Sequence, residues 1–372
     1  MLNKVLLNYL KQDENKNIFA DEDGSYKVSF FKKKIYSYIK IINEFKKKNK
    51  LEKNSNIGIG ILLDRNLDYF CIIFATWLTN NYFLPLSRES KKKNINYQLK
   101  LSNVAILFEK KGKVISYKKN IFYKKKSSIL KKNKKIAYIM FTSGSTGNKK
   151  GVVISRSNVE NYYNSIEGIT KNVSFKSILI TTELIFDICI GDIIFALIKK
   201  SKIILTSSAS NLISLFNLMN LHRPEEIYAV PTTWKKIIKN SSKFDRSSFR
   251  NVKLITSGGE ALTKNVVKNL FKLFPNAKIL NVYGPTEFTV NVTYFNIDRK
   301  KFANYDIMPL GKKLKNVSVA IRKEKGNHGE LLLAGDQKML GYLDGIKSPD
   351  VHYNGKIYYA TGDIVYLDKK NN

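Results

Sequence analysis

The chain has 372 residues, enough for more than one hydrophobic core, and its 43% hydrophobic and 12% aromatic content excludes a disordered or low-complexity protein. The 65 Lys+Arg residues against 30 Asp+Glu give a net charge of +35, which raises a polyanion or membrane-surface role. The lysines, however, are scattered along the whole length among Asn, Ile and Tyr, as in an A/T-biased coding sequence that fills exposed positions with lysine, so no specific nucleic-acid partner is expected.

In chain order, the N-terminal apolar run is too short for a signal peptide. Lys27–Asn49 carries Phe31, Ile35, Tyr38, Ile39, Ile42 and Phe45 at helical spacing, which predicts an amphipathic helix with a lysine-covered outer face. A strand over Ile57–Leu63, an apolar helix over Asp68–Asn80, a strand over Phe83–Leu86, a helix over Lys93–Lys100 and a strand over Val104–Phe108 follow. The longest apolar stretch, Tyr69–Leu78, falls short of the ~20 residues that cross a bilayer, so a reduced, cytoplasmic protein without a membrane span is expected. Lys110–Lys135 reads as an exposed, mobile connection. Ile136–Phe141 is a buried strand, and Val152–Ile154 a second apolar run. Ser157–Ile169 reads as a helix with Ser157 as its N-cap. Strands at Ser177–Thr181, Lys202–Leu205, Glu226–Val230, Val252–Thr256 and Lys278–Val282 alternate with helices at Asp187–Leu197, Asn211–Leu221, Thr233–Asn240 and Thr263–Phe274. This alternation predicts α/β architecture with two mostly parallel, helix-covered sheets in residues 1–305. From Asp306 the texture changes. Val317–Arg322, Glu330–Ala334, Lys356–Tyr359 and Ile364–Leu367 are short strands, predicting a small β-rich, barrel-like unit over 306–372.

Between Ile136–Phe141 and Val152–Ile154 lies a Ser/Thr/Gly loop, Thr142 to Gly147, followed by Lys149 and Lys150. Glycines let backbone approach a ligand closely, N–H groups and hydroxyls donate to phosphate oxygens, and lysine adds positive charge. The loop is not G-x-x-x-x-G-K-[ST]: counting from Gly144, the place that needs glycine holds Lys149. Further polar loops end strands at Ser257–Glu260, Tyr283–Glu287 and Thr361–Asp363. In an open α/β sheet such loops converge on one ligand. Ser143 to Gly147 offer a phosphate cradle, Glu287 a cation ligand, Tyr283 a flat surface for a base and Asp363 a carboxylate for ribose hydroxyls. Cys71 and Cys189 sit in apolar runs and form neither a disulfide framework nor a metal site, and His222, His328 and His352 lack ligand spacing.

Taken together and in this order, Thr-Ser-Gly-Ser-Thr-Gly with a following Lys-Gly, Tyr-Gly-Pro-Thr-Glu and Tyr-x-Thr-Gly-Asp resemble the adenylate-forming superfamily, which includes acyl-CoA synthetases, luciferases and the amino-acid adenylation domains of nonribosomal peptide synthetases. The resemblance runs from about Tyr26 to the end and takes in Tyr82-Phe83-Leu84-Pro85-Leu86. It implies ATP and Mg2+. Thr142, Ser143, Gly144, Ser145, Thr146 and Gly147 with Lys150 would hold the β,γ-phosphates. Glu287 would bind Mg2+, and Thr286 would contact the α-phosphate. Gly258, Gly259, Asn281 and Tyr283 would meet the adenine and Asp363 the ribose. A substrate carboxylate would attack the α-phosphorus and pyrophosphate would leave, with no side-chain nucleophile required.

Phe186-Asp187-Ile188-Cys189 resembles the Phe-Asp-x-Ser motif of amino-acid-activating members, in which the aspartate pairs with the α-ammonium group; Cys189 stands where serine is usual. By the same register Ile188, Gly191, Ala229, Ile255, Ser257, Val282, Val290 and Asn291 would line the side-chain pocket. Gly191 and Ala229 would leave room, and no charged residue would face the side chain, which implies a neutral amino acid. D-alanine-activating ligases of carrier proteins share these motifs, so a carrier protein with a phosphopantetheine thiol is the implied acceptor. The alternatives are an acyl- or aryl-CoA ligase and a non-catalytic ATP-binding relative. The family's C-terminal lid, which supplies a further lysine, would follow Tyr-x-Thr-Gly-Asp, and its motifs are absent from this sequence. The resemblance therefore implies the N-terminal core, with slow adenylation by the chain alone.

Overall fold

The computed structural model describes residues 1–111, 114–124, 135–143, 149–208, 210–325, 328–343 and 345–367. Two large sheets and one small one are formed. The nine-stranded sheet runs, from edge to edge, Lys312–Lys313, Thr293–Ile297, Lys278–Tyr283, Leu254–Ser257, Glu226–Tyr228, Ser177–Ile180, Lys202–Leu205, Asn17–Asp21 and Gly24–Lys27. Its central strands are parallel and its edges antiparallel. The seven-stranded sheet runs Gly341–Tyr342, Lys149–Ser155, Ile136–Ser143, Tyr82–Pro85, Gly58–Leu62, Val104–Lys111 and Val114–Lys119.

The helices Leu67–Leu78, Arg156–Thr170 and Ile188–Lys199 pack into one continuous core with strands of both large sheets. Their sequences explain this. Leu67–Leu78 is apolar on every side, with Leu67 and Tyr69 through Trp77 all buried, as a helix enclosed by neighbours must be. Trp77 donates its indole N–H to the Ala137 carbonyl at 3.0 Å. A second core covers the other face of the nine-stranded sheet with Leu212–His222, Pro231–Asn240 and Lys264–Leu273. Arg65 ties the two sheets together. From the turn after Gly58–Leu62 its guanidinium donates to the carbonyls of Ile180 (3.0 Å), Thr206 (2.8 Å) and Thr182 at the carboxyl ends of strands in the other sheet. Arg65→Leu is expected to lower unfolding free energy by about 3 kcal/mol, because each orphaned carbonyl costs about 1–3 kcal/mol. A urea melt showing less than about 1 kcal/mol would rule out this linking role.

The helices and parallel strands lie where the sequence pattern predicts them, but the strands Gly24–Lys27, Thr293–Ile297 and Asp350–Tyr353 are not expected from it, and other segments differ as well. The stretch Lys110–Lys135 is not all loop: Val114–Lys119 forms an antiparallel hairpin with Val104–Lys111, and Ile115 packs on the core. Residues 125–134 of that stretch lie outside the described residues. The cap of Arg156–Thr170 is Ser155 rather than Ser157. Asn158 N–H donates to Ser155 Oγ at 3.1 Å, and Ser155 N–H to Asn158 Oδ1 at 2.9 Å, a reciprocal capping box. Leu2–Leu10 is a helix burying Leu2, Leu6, Tyr9 and Leu10, and Asn17–Asp21 joins the nine-stranded sheet beside Lys202–Leu205. Finally, Thr361–Asp363 is no loop between strands. It is a bulge inside one strand, Lys356–Tyr366, at Gly362 (φ +80°).

The third sheet is antiparallel, ordered Val317–Lys325, His328–Gly335, Lys356–Tyr366 and Asp350–Tyr353. The 306–372 stretch is not confined to it: Lys312–Lys313 edges the nine-stranded sheet and Gly341–Tyr342 edges the seven-stranded one. Among the described residues, no helix is long and apolar enough to cross a membrane.

Candidate nucleotide and amino-acid site

The carboxyl ends of the central strands in the nine-stranded sheet converge with the Ile136–Ser143 and Lys149–Ser155 hairpin and with the bulged strand. Thr142 pairs with Lys150 across that hairpin, at the mouth of the loop. Gly144, Ser145, Thr146 and Gly147 lie outside the described residues.

Lys278–Tyr283 delivers Asn281, Val282 and Tyr283, then turns into Thr286–Phe288, one turn of 3-10 helix. The Tyr283 hydroxyl donates to Asp363 Oδ2, so the residues assigned to base and ribose meet. Burial, reinforced by the Asp363 carboxylate, raises the Tyr283 pKa well above the phenol range. The bulge sets Asp363: Gly362 N–H donates to Glu330 Oε1 at 2.9 Å, and the Thr361 hydroxyl donates to the Leu331 carbonyl at 2.8 Å. Asn281 is buried and its amide donates to the Pro309 carbonyl at 2.8 Å, bracing the strand from the side. Gly258 and Gly259 are required where they stand. A Cβ on Gly258 would lie 2.7 Å from the Val282 carbonyl oxygen, and Gly259 has φ +82°.

Asp187 stands at the N-cap position of Ile188–Lys199 but caps nothing with its side chain. Instead Oδ2 accepts from the Val290 N–H at 3.3 Å, and the Thr286 hydroxyl also donates to it. It is buried, and among the described residues no cation pairs with it. Burial therefore pushes its pKa up to about 7, helped by the nearby Glu287 charge and opposed by the two hydrogen bonds.

The loop from Thr286 to Asn291 is held in an uncommon shape. Thr289 (φ +54°) and Val290 (φ +73°) are β-branched residues in the left-handed region, a conformation that persists only where its surroundings enforce it. Gln337, fully buried, enforces it by donating to the carbonyls of Phe288 (3.1 Å) and Asn291 (2.8 Å). The Thr289 hydroxyl donates back to the Gln337 carbonyl at 2.7 Å. Glu287 accepts at Oε1 from the Tyr342 hydroxyl at 2.7 Å. Among the described residues no cluster of three His, Cys, Asp or Glu side chains forms a metal cage. A lone carboxylate of this kind suits Mg2+, which keeps most of its waters and takes few protein ligands.

The residues expected to line a side-chain pocket do not all lie on one face of the sheet. Ala229 and Ile255 belong to the core on the far face of the sheet, with Ile227 and Ile279. Strand alternation brings Tyr228 to the Asp187 side instead, since a register error of one residue inverts the face. The Tyr228 hydroxyl donates to Asn291 Oδ1 at 3.3 Å, and the Asn291 amide donates to the Tyr162 hydroxyl at 3.2 Å. Gly191 leaves no open room: a Cβ there would lie 3.0 Å from Val290 Cγ1 and 3.4 Å from the Tyr162 hydroxyl. Ile188 lies beside Gly259, and Val282 lies beside Gly258. Ser257 is buried with its hydroxyl unpartnered among the described residues. Asp192 and Glu226 are fully buried and electrostatically coupled to Tyr162. Burial first and mutual repulsion second raise Asp192, and burial raises Glu226 to about 8, so the neutral acid forms are favoured at pH 7.

Residues 47–343 match the AMP-binding enzyme family. The chain belongs to that family. Bacitracin synthase 3 of Bacillus licheniformis is 26% identical over 342 residues, which cover 82% of this chain and 5% of that protein. D-alanine–D-alanyl carrier protein ligase of Bacillus cereus (strain G9842) is 28% identical over 259 residues, covering 62% of this chain and 48% of the ligase. The chain thus spans a small part of the synthase and under half of the ligase. Among solved structures, the N-terminal subdomain of Klebsiella oxytoca NpsA in complex with 3-hydroxybenzoyl-AMSN superposes with TM-score 0.78 at 15% identity, over 100% of this chain and 98% of that one. The Vibrio cholerae adenylation domain AlmE, in complex with glycyl-adenosine-5'-phosphate, superposes with TM-score 0.79 at 19% identity, over 98% and 77%. The family's fold, two helix-covered sheets with a smaller β unit, is thus the one described above.

Proposed function

We propose that this chain is the ATP- and substrate-binding core of an enzyme that activates a small, neutral amino acid as its aminoacyl-AMP, for transfer to a carrier-protein thiol. The observation that carries the reading is Asp187: a buried carboxylate, fixed by Val290 N–H and the Thr286 hydroxyl, with no cation beside it among the described residues. An α-ammonium group supplies that missing charge. Tyr228, Val290 and the tyrosine pair around Gly191 support a short side chain.

In this reading residues 1–305 form the core that holds both substrates, and 306–372 contribute Asp363. The substrate carboxylate oxygen bonds to the α-phosphorus while the bond from phosphorus to the bridging oxygen breaks, and pyrophosphate leaves. Negative charge on phosphoryl oxygens is met by Lys150, the donors of Thr142 to Gly147 and Thr286. Mg2+ held through Glu287 would neutralise further phosphate charge. Tyr283 orients the base and Asp363 the ribose, each fixed by the other.

The test is ATP–pyrophosphate exchange across the common amino acids, with and without an added C-terminal lid domain. The isolated chain is expected to bind ATP and exchange slowly, and glycine or alanine is expected to drive exchange when the lid is supplied. No ATP binding, or no amino-acid-dependent exchange with the lid, would overturn the proposal.

A further inference from the structure

Tyr342 sits where three parts of the site meet. Gly341–Tyr342 is an edge strand pinned to Lys149–Ser155: Leu340 N–H donates to the Val153 carbonyl at 2.8 Å and Leu343 N–H to the Gly151 carbonyl at 2.9 Å. Those bonds fix the Tyr342 ring beside the phosphate-loop hairpin. The Lys150 ammonium lies over its face, 5.4 Å from the centroid. Its hydroxyl donates to Glu287 Oε1 at 2.7 Å and lies 3.2 Å from the Tyr359 hydroxyl. Just upstream, Met339 N–H donates to the Glu287 backbone carbonyl at 2.7 Å.

Lys150 and Glu287 carry opposite charges and serve opposite partners, a polyphosphate and a divalent cation. Side chains of this kind close into an ion pair when nothing separates them. Here they do not pair: Lys150 takes the ring face and Glu287 takes the hydroxyl. We infer that Tyr342 is a positioning residue that holds Lys150 and Glu287 apart, presenting the ammonium to phosphate and the carboxylate to the metal. This rests on the nucleotide role proposed above for the two charged residues. Tyr342 itself touches neither phosphate nor metal in this scheme. Its ring acts on the lysine and its hydroxyl on the carboxylate, so the two actions can be removed separately.

The test uses the full chain, with ATP and Mn2+ as probes. ATP binding is measured by calorimetry in EDTA, and Mn2+ binding to the ATP complex by electron paramagnetic resonance. Tyr342→Phe keeps the ring and removes the hydroxyl. It is expected to leave metal-free ATP affinity within about twofold and to weaken Mn2+ about tenfold, the usual weight of one hydrogen bond to a charged group. Tyr342→Ala lets the charges collapse together and is expected to weaken both. Adding Glu287→Gln to Tyr342→Ala frees Lys150 and is expected to restore metal-free ATP affinity. Unchanged Mn2+ affinity in Tyr342→Phe, or failure of that second substitution to restore ATP binding, overturns the inference. A wild-type chain that binds no ATP instead removes the nucleotide reading itself. Thermal melts of Tyr342→Phe separate these results from unfolding.

Discussion

Asp187→Asn is expected to stabilise the empty protein at pH 8 while removing its response to amino acids. The carboxyl has a folded pKa of about 7 against an ordinary 3.8, raised chiefly by burial. For a group shifted upward, the stabilising contribution is complete below the unfolded value and disappears as pH rises through the folded one. Between pH 4 and 7 the wild type therefore loses stability that the asparagine variant keeps. The shift of about three pH units sets an upper bound of roughly 4 kcal/mol at pH 8. Urea melts at pH 8 and pH 4.5 should show a gain that shrinks towards zero at the lower pH. Function should move the other way. A charge-assisted pair contributes about 1.5–3 kcal/mol, so the amino-acid KM in pyrophosphate exchange should rise about tenfold to a hundredfold with ATP affinity unchanged. In the wild type, kcat/KM for the amino acid should fall below pH about 7, where free Asp187 becomes neutral, and this limb should be missing in the variant. Exchange that survives at the wild-type KM would remove the ammonium role and return an acyl or aryl acid as the substrate class.

Such a trade follows from how the site is built, and it bears on what could be read in advance. Local patterns were legible. The apolar helix Leu67–Leu78, the amphipathic Val28–Lys48 and the parallel strands carry their own periodicities, and the glycine and hydroxyl clusters stand at strand ends. The illegible parts depend on distant partners. Nothing in Asn17–Asp21 announces a strand until Ile203 and Ile204 are placed beside it. Leu2–Leu10 reads as a short apolar run until the core it covers exists. Thr289 and Val290 are poor candidates for left-handed backbone by any local rule, and only Gln337 makes that shape stable. Tyr342 and Gln337 carry no motif. Their spacing from Glu287 in sequence says nothing of contact, and the antiparallel pairing of Gly341–Tyr342 with Val152 and Val153 supplies it. Asp192 and Glu226 belong to no motif in the sequence and lie fully buried in the fold.

If the chain activates an amino acid as proposed, Tyr228, rather than Ala229, is expected to set the size of its side chain. Tyr228 is buried to 1% exposure, its hydroxyl bonded to Asn291 and 2.9 Å from where a Cβ on Gly258 would stand. The ring thus closes the space between Gly191, Gly258 and Val282 that a longer side chain would need. Tyr228→Ala removes that wall. It is expected to admit branched or aromatic amino acids, raising their kcat/KM relative to glycine at least about tenfold, since burying two or more additional methylenes contributes about 0.8 kcal/mol each. The cost is a cavity and a lost donor for Asn291, about 3–5 kcal/mol in a urea melt. Tyr228→Phe keeps the wall and should keep the selectivity. Ala229→Val is the control. Ala229 packs with Leu179, Ile204 and Trp234 on the opposite face, so extra volume there should cost about 1–3 kcal/mol by overpacking and leave the order of preferred amino acids untouched. If Ala229→Val reorders the substrates while Tyr228→Ala does not, the pocket lies on the other face of the strand and the size argument falls with it.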